Sequence, residues 1–170
     1  MPNPTPEELC LRWARPDDAA VIARLVDEFR AEMGEPVGYT TRETILRDGF
    51  GEVPNFEVIL AETAGALCGY TLFMPSYEPT YAARGLYMAD LYVAPDKRKQ
   101  GIGRALIASV ANVARQRERS FIWWVAMAEN TRAHKFYDGL GIASVPVFAN
   151  AATRLNVFDR LADMAMPVAG

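Results

Sequence analysis

The chain has 170 residues, a formal net charge of −3 and a composition that is 51% hydrophobic and 23% charged. These values are typical of one globular domain, and they argue against a disordered chain or a broad nucleic-acid interface. The single histidine, His134, is too few for a histidine-rich zinc site, so we expect no metal. No apolar run predicts a membrane span or a signal peptide. We expect residues 1–170 to form one cytoplasmic domain with an ordered core over about 8–166.

The first half of the chain predicts a strand, two helices and three further strands. A short strand over 9–14 precedes a helix that opens with acidic residues after Pro16 and carries apolar residues at helical spacing. Thr40 and Glu43 predict a capping box for a second, shorter helix. The three strands are predicted over 56–62, 66–74 and 86–93, and the first two read as a hairpin.

The second half predicts helices and strands in alternation. A helix with apolar residues on one face follows residue 104, and an almost wholly apolar run over 121–127 predicts a strand at the buried centre of a sheet. Asn130 or Thr131 begins another helix. Two last strands over 142–148 and 155–158 and a short amphipathic tail complete the chain. The order βααβββαβαββ predicts a single-domain α/β fold with a mixed sheet.

A basic loop with two glycines lies between the strand over 86–93 and the helix that follows it. Its residues are Lys97, Arg98, Lys99, Gln100, Gly101, Ile102, Gly103 and Arg104. The first N–H groups of a helix have no partner inside it and lie at the positive end of its dipole, so they can bind an anion. Glycines let a phosphate approach the backbone closely. The spacing matches neither a Walker A loop nor a dinucleotide fingerprint, and an ordinary strand–helix turn is the alternative.

Two motifs resemble the signatures of the GNAT N-acetyltransferase superfamily. The motif Arg98-x-x-Gly101-x-Gly103 resembles its acetyl-coenzyme A loop, and Asn130-x-x-Ala133-x-x-Phe136-Tyr137 resembles its second signature. The first strand and helix are similar too, so the resemblance covers nearly the whole chain. It implies a mixed, twisted β-sheet of about six to seven strands, flanked by about four helices and splayed at its central parallel strands.

Within the superfamily, two segments resemble a narrower group. Residues 46–54 (LRDGFGEVP) and 88–93 (MADLYV) are similar to segments of the spermidine/spermine (diamine) acetyltransferases and their thialysine-acetylating relatives. The tail over 154–164 is similar as well.

The resemblance implies acetyl-coenzyme A as co-substrate. Residues 98–104, Asn130 and Tyr137 would bind the coenzyme, and backbone groups of Leu91, Tyr92 and Val93 would hold its pantetheine arm. A backbone N–H near Leu91 would stabilise the oxyanion. Tyr137 matches the family's general acid, a role that suits a phenol because it stays protonated at neutral pH. From spacing alone, a core position for Tyr137 is an equal alternative.

The carboxylate that accepts the proton of the amine is less well defined. The diamine acetyltransferases carry a glutamate–aspartate pair on the strand before the loop, and this chain has Ala89 and Asp90 there. Asp90 is therefore a candidate base or substrate-binding acid, with a structural carboxylate as the alternative. Glu28 and Glu32, one turn apart on the first helix, are further candidates for binding the substrate, with a solvated helix face as the alternative.

The function expected from the sequence is acetyl-coenzyme A–dependent N-acetylation of a primary amine of a small molecule, with diamines and polyamines as one acceptor class. An amino-acid or lysine-like amine is the alternative acceptor, and a non-catalytic acyl-coenzyme A sensor is the alternative function. The resemblance implies a homodimer. We expect no nucleic-acid or membrane partner.

Overall fold

The computed structural model describes residues 9–142, 144 and 158–164. Contacts divide the chain into two compact units, Met1–Val125 and Ala126–Gly170. The first unit contains strands β1 (Leu9–Trp13), β2 (Glu57–Thr63), β3 (Ala66–Glu78), β4 (Ala83–Val93) and β5 (Phe121–Trp123), and helices α1 (Ala19–Glu32), α2 (Arg42–Gly49) and α3 (Ile102–Gln116). The second contains α4 (Thr131–Asp138) and α5 (Phe158–Asp163). No helix within the described ranges is long and apolar enough to cross a membrane.

The five strands form one mixed sheet in the order β1-β2-β3-β4-β5. The first three pairings are antiparallel, and β4 pairs with β5 in parallel. The predicted α/β class and the predicted order of elements are confirmed as far as α4. The sheet has five strands in the described part of the chain rather than six to seven. The predicted strands over 142–148 and 155–158 lie mostly outside that part, and Phe158 begins α5.

Strand β5 differs from its prediction in length and burial. It ends at Trp123 rather than residue 127, and Trp123 and Val125 are 45% and 46% exposed. The reason is its pairing, because β5 contacts β4 at only three residue pairs before the two strands separate. The apolar run over 121–127 therefore contains a short strand, and the prediction of a strand at the buried centre of the sheet is wrong.

Helices cover both faces of the sheet. Four successive residues of β2, from Val58 to Ala61, are buried, although successive side chains of a strand point to opposite faces. On one face, α1 and α2 form a cluster with Val58, Leu60, Tyr70 and Tyr92. Helix α3 contacts β3, β4 and β5 and buries the apolar side that the sequence predicts, including Leu106 and Val110. Apolar burial of this kind contributes about 25 cal/mol per Å².

An ion-pair cluster fixes the start of α1 against the sheet. The Arg12 guanidinium of β1 donates to both carboxylate oxygens of Asp18, at 2.8 and 2.9 Å, and its Nε donates to Glu62 of β2 at 3.0 Å. The Arg15 backbone N–H donates to Asp18 at 2.7 Å. The hydrogen bonds from Arg12 hold the pKa of the Asp18 carboxyl below its ordinary value. Asp18 thus joins β1 to α1 in the charged state.

The cap of α2 lies one residue later than the sequence predicts. Thr41 is the N-cap, and its hydroxyl accepts from the Thr44 N–H at 3.2 Å, while the Thr44 hydroxyl accepts from the Thr41 N–H at 2.8 Å. A second threonine thus completes the box, in place of the predicted Thr40 and Glu43.

Candidate functional site

The loop between β4 and α3 leads into a row of backbone N–H groups at the start of the helix. Lys99 and Gly101 have φ angles of 62° and 82°, in the left-handed region, and Gly101 is the N-cap of α3. The first helical hydrogen bond runs from the Ala105 N–H to the Gly101 carbonyl at 3.0 Å. The three N–H groups between them have no carbonyl partner in the helix. This arrangement at the positive end of α3 is suited to a pyrophosphate.

Side chains around this loop divide into buried and exposed groups. Ile102 is 1% exposed, so its side chain belongs to the core and does not contact a ligand. Lys99 and Arg104 are exposed, and Gln100 and Gly103 are half-buried. The exposed cations surround the helix start, where they favour an anion further.

The Arg98 side chain connects the loop to the rest of the first unit. Its Nε donates to the Val93 carbonyl at 2.8 Å, and its guanidinium forms an ion pair with Glu32 of α1. The guanidinium carbon lies 5.9 Å from the centre of the Tyr92 ring. The side chain of Arg98 thus holds the loop against β4 and α1. The contact of Arg98 with the coenzyme stays a prediction.

Strand β4 contains a bulge next to the point where it separates from β5. Leu72 of β3 pairs with Asp90 and Phe73 pairs with Met88, so Ala89 has no partner across the pair. Pairing with β5 stops at Tyr87. Beyond Tyr87, β4 therefore has no parallel neighbour among the described residues, and the segment containing the predicted arm-binding residues has no strand partner on this edge. Its ladder with β3 continues to Val93.

Asp90 is buried and fully engaged by other side chains. It is 4% exposed, pairs with the Arg30 guanidinium and accepts from the Tyr70 hydroxyl at 2.8 Å. Burial and then the charge of Asp90 raise the pKa of Tyr70, so this hydroxyl stays a donor. Burial opposes the charge of Arg30, but the Asp90 and Glu35 carboxylates outweigh it, and the pKa of Arg30 is raised. The charges of Asp90 and Arg30 thus compensate each other in the interior.

The two predicted acids of α1 also have arginine partners. Glu28 pairs with Arg24 and accepts from the Tyr92 hydroxyl at 3.4 Å, whereas Glu32 pairs with Arg98. Burial, followed by the charge of Glu28, raises the pKa of Tyr92. Asp90, Glu28 and Glu32 each pair with an arginine. They therefore do not form an acidic site with an unpaired negative charge.

Comparison with known proteins identifies the family of this chain. The model of the Acetyltransferase (GNAT) family matches residues 11–142, which is most of the chain. The chain belongs to the GNAT acetyltransferase family. It is therefore an N-acetyltransferase, and the splay between β4 and β5 is the one that the resemblance implies.

Individual relatives of this GNAT acetyltransferase point to amines. The chain is 33% identical over 141 residues to the thialysine N-epsilon-acetyltransferase of Bos taurus, covering 77% of this chain and 82% of that protein. It is 26% identical over 140 residues to the spermidine/spermine N(1)-acetyltransferase-like protein 1 of Homo sapiens, covering 77% of this chain and 20% of that protein. An integron cassette protein from the mobile metagenome of V. cholerae has the same fold, with a TM-score of 0.76 and 20% identity over 91% of this chain and 98% of that one.

The second unit of the acetyltransferase contains the other two predicted site residues, Asn130 and Tyr137. Asn130 is the N-cap of α4, and its Oδ1 accepts from the Ala133 N–H at 3.1 Å. Tyr137 is 8% exposed, and its ring centre lies 5.4 Å from that of Phe136. The helix and its cap are as predicted. The roles of both residues toward the coenzyme stay predictions.

Two residues of the Asp90 cluster, Arg30 and Tyr70, were missed by the sequence analysis. One signal was available for Arg30, because it lies four residues after the buried Val26 and so on the same face of α1. A charged residue at such a position needs a partner. The sequence contains no sign that this partner is on β4, 60 residues away.

Proposed function

We propose that this acetyltransferase transfers the acetyl group of acetyl-coenzyme A to the side-chain or terminal amine of a small amino acid or polyamine. The observation that supports this most directly is the row of N–H donors at the start of α3 beside the splayed edge of β4. Both features suit the coenzyme, the first for its pyrophosphate and the second for its arm. The relatives described above supply the two classes of acceptor.

The reaction needs one bond formed, one bond broken and three proton transfers. The neutral amine attacks the thioester carbonyl, and a backbone N–H near Leu91 stabilises the oxyanion. The tetrahedral intermediate expels the thiolate, to which Tyr137 donates its hydroxyl proton. The positively charged nitrogen of the intermediate loses its proton to solvent water, and solvent water returns a proton to the Tyr137 phenolate. We assign Asp90 a structural role, because its pairing with Arg30 and Tyr70 leaves no oxygen without a partner.

A thiol-release assay tests this proposal and separates the enzyme from the sensor. Purified protein is mixed with acetyl-coenzyme A, and free thiol is followed with no acceptor, with ornithine, thialysine, putrescine and spermidine, and with a simple monoamine of similar length. We expect amines with a second charged group to accelerate release more than the monoamine does. Tight coenzyme binding without acceleration by any amine would favour a sensor, and equal values of kcat/KM across the set would show that the second group is not recognised.

A further inference from the structure

Arg30 stands at the end of α1 with two acidic partners of different kinds. One guanidinium nitrogen pairs with the buried Asp90, and the other, Nη1, donates to the Glu35 carboxylate at 3.0 Å. The Arg30 side chain is 31% exposed, while those of Asp90 and Glu35 are 4% and 41% exposed. The guanidinium is therefore fixed from the inside and reachable from the outside.

The outer partner, Glu35, is a residue that a ligand carboxylate can replace at Arg30. It lies in the loop between α1 and α2, next to Gly34, whose φ of 71° is in the left-handed region that favours glycine. Ion pairs at this level of exposure contribute about 0–1 kcal/mol. A ligand carboxylate that binds Arg30 through the same nitrogen can therefore displace Glu35 at little cost.

Arg30 also lies on the side of the sheet from which an acceptor would approach. The bulge at Ala89 reverses the alternation of β4, so that Asp90 and its partner Leu72 face α1, whereas Met88 and its partner Phe73 face the other way. The coenzyme loop opens α3, which covers that other face. An amine that reached the thioester from the opposite side would pass the end of α1.

We propose that Arg30 binds the carboxylate of an amino acid whose side-chain amine is acetylated, and that Glu35 occupies this position when no acceptor is bound. The inference rests on the proposed function and adds the residue that distinguishes amino acids from diamines. The charges of the site agree with it. Glu28 and Glu32 are compensated by Arg24 and Arg98, so neither of them leaves an unpaired negative charge that would repel a carboxylate at the outer nitrogen of Arg30. A charge-assisted arginine–carboxylate contact is stronger than a neutral hydrogen bond.

Two matched pairs of acceptors test this role, because each pair differs only in the carboxylate. Ornithine is compared with putrescine and lysine with cadaverine, by kcat and KM. The wild type is expected to favour the amino acid of each pair. Arg30→Lys keeps the charge beside Asp90 but loses the planar fork, and it should raise KM for ornithine about 10-fold or more while KM for putrescine changes less than about twofold. Glu35→Gln removes the competing charge and should lower KM for ornithine severalfold.

Controls separate recognition from stability. The double variant Arg30→Gln/Asp90→Asn removes both charges, so that no buried charge is left unpaired, and it should lose the preference for ornithine as Arg30→Lys does. Arg47→Gln removes an exposed arginine of α2 and should leave the KM for ornithine and the KM for putrescine unchanged. If Arg30→Lys raised KM equally for both members of a pair, or if the wild type preferred the diamine, the role of Arg30 would be overturned. If no amine is acetylated, the proposed function fails, and calorimetric binding of ornithine against putrescine to wild type and Arg30→Lys still decides the inference.

Discussion

At the scale of single residues, Ala89 has a large effect on the environment of its neighbours. Because it has no partner across the pair with β3, the strand beyond it presents Asp90 and Tyr92 to α1. The subfamily glutamate is absent at this bulge, and the aspartate after it is bound by Arg30 and Tyr70. A carboxylate held in this way is expected to position α1 rather than to accept the proton of the amine.

Tyr137 allows a test of a single hydroxyl. Tyr137→Phe removes the proposed proton donor and keeps the ring that packs beside Phe136. If the hydroxyl protonates the departing thiolate, kcat should fall about 10²- to 10⁴-fold, while the coenzyme dissociation constant changes little. Steady-state kinetics and calorimetry measure the two quantities. Near-normal turnover would assign Tyr137 to the core of its unit alone.

At the scale of elements, the two glycines at the start of α3 differ in what the backbone requires of them. Gly101 has a φ of 82° and needs the left-handed region, so a side chain there strains the backbone. Gly103 lies inside the helix and is not among the residues of positive φ. The backbone at Gly103 is therefore one that a residue with a side chain can adopt, and the effect of a side chain there reports on the space beside the N–H groups.

Gly103→Glu is expected to abolish binding of acetyl-coenzyme A and leave the fold intact. The carboxylate adds bulk and negative charge where the phosphates would lie, yet an acidic residue in the first turn of a helix is favourable for the helix itself. Ala111→Glu adds the same side chain on an exposed position of α3 and should bind the coenzyme normally. Calorimetry gives the affinity and circular dichroism the fold. Unchanged affinity of Gly103→Glu would disprove the assignment of the loop.

At the scale of the whole molecule, stability depends on charged groups that join elements distant in sequence. Arg12 connects β1 with β2 through Glu62 and with the start of α1 through Asp18, and the Asp18 side chain is only 13% exposed. Hydrogen bonds from Arg12 lower the pKa of Asp18 in the folded protein. A carboxyl group whose pKa is lower in the folded state stabilises the fold fully above its unfolded pKa, about 3.9, and ceases to do so as the pH falls through the folded value.

Asp18→Asn should therefore lower the free energy of unfolding at neutral pH by about 1–3 kcal/mol. The deficit relative to wild type should shrink as the pH falls below about 4, because the wild-type carboxyl is then protonated as well. Denaturant titrations at a series of pH values measure both effects. Asp17→Asn makes the same change at the exposed neighbouring residue and should show neither. A deficit that persists undiminished through the acid range would mean that the charge of Asp18 is not its cause.

Local patterns in the sequence were sufficient for the order of the elements as far as α4, for the two-glycine loop and for the family. Periodicity of apolar residues predicts α1, α3 and β4 because burial of one face is a property of consecutive residues. The start of α3 follows in the same way, since the left-handed conformation of its N-cap, Gly101, is one that glycine favours. Asn130 and Thr131 likewise mark the cap of α4, because capping involves only neighbouring residues.

The tertiary structure alone decided the partners of the charged residues and the end of β5. The pairing of Asp90 with Arg30 spans 60 residues and that of Glu32 with Arg98 spans 66, distances over which no local pattern acts. Strand β5 ends at Trp123 because its pairing with β4 stops there. The apolar run beyond Trp123 does not show this, because the same residues could continue a paired strand or leave the sheet. Burial and hydrogen bonding of a charge depend on which elements pack together, and this is why the sequence proposed the acids of the site while the packing of α1 on β4 determined what those acids bind.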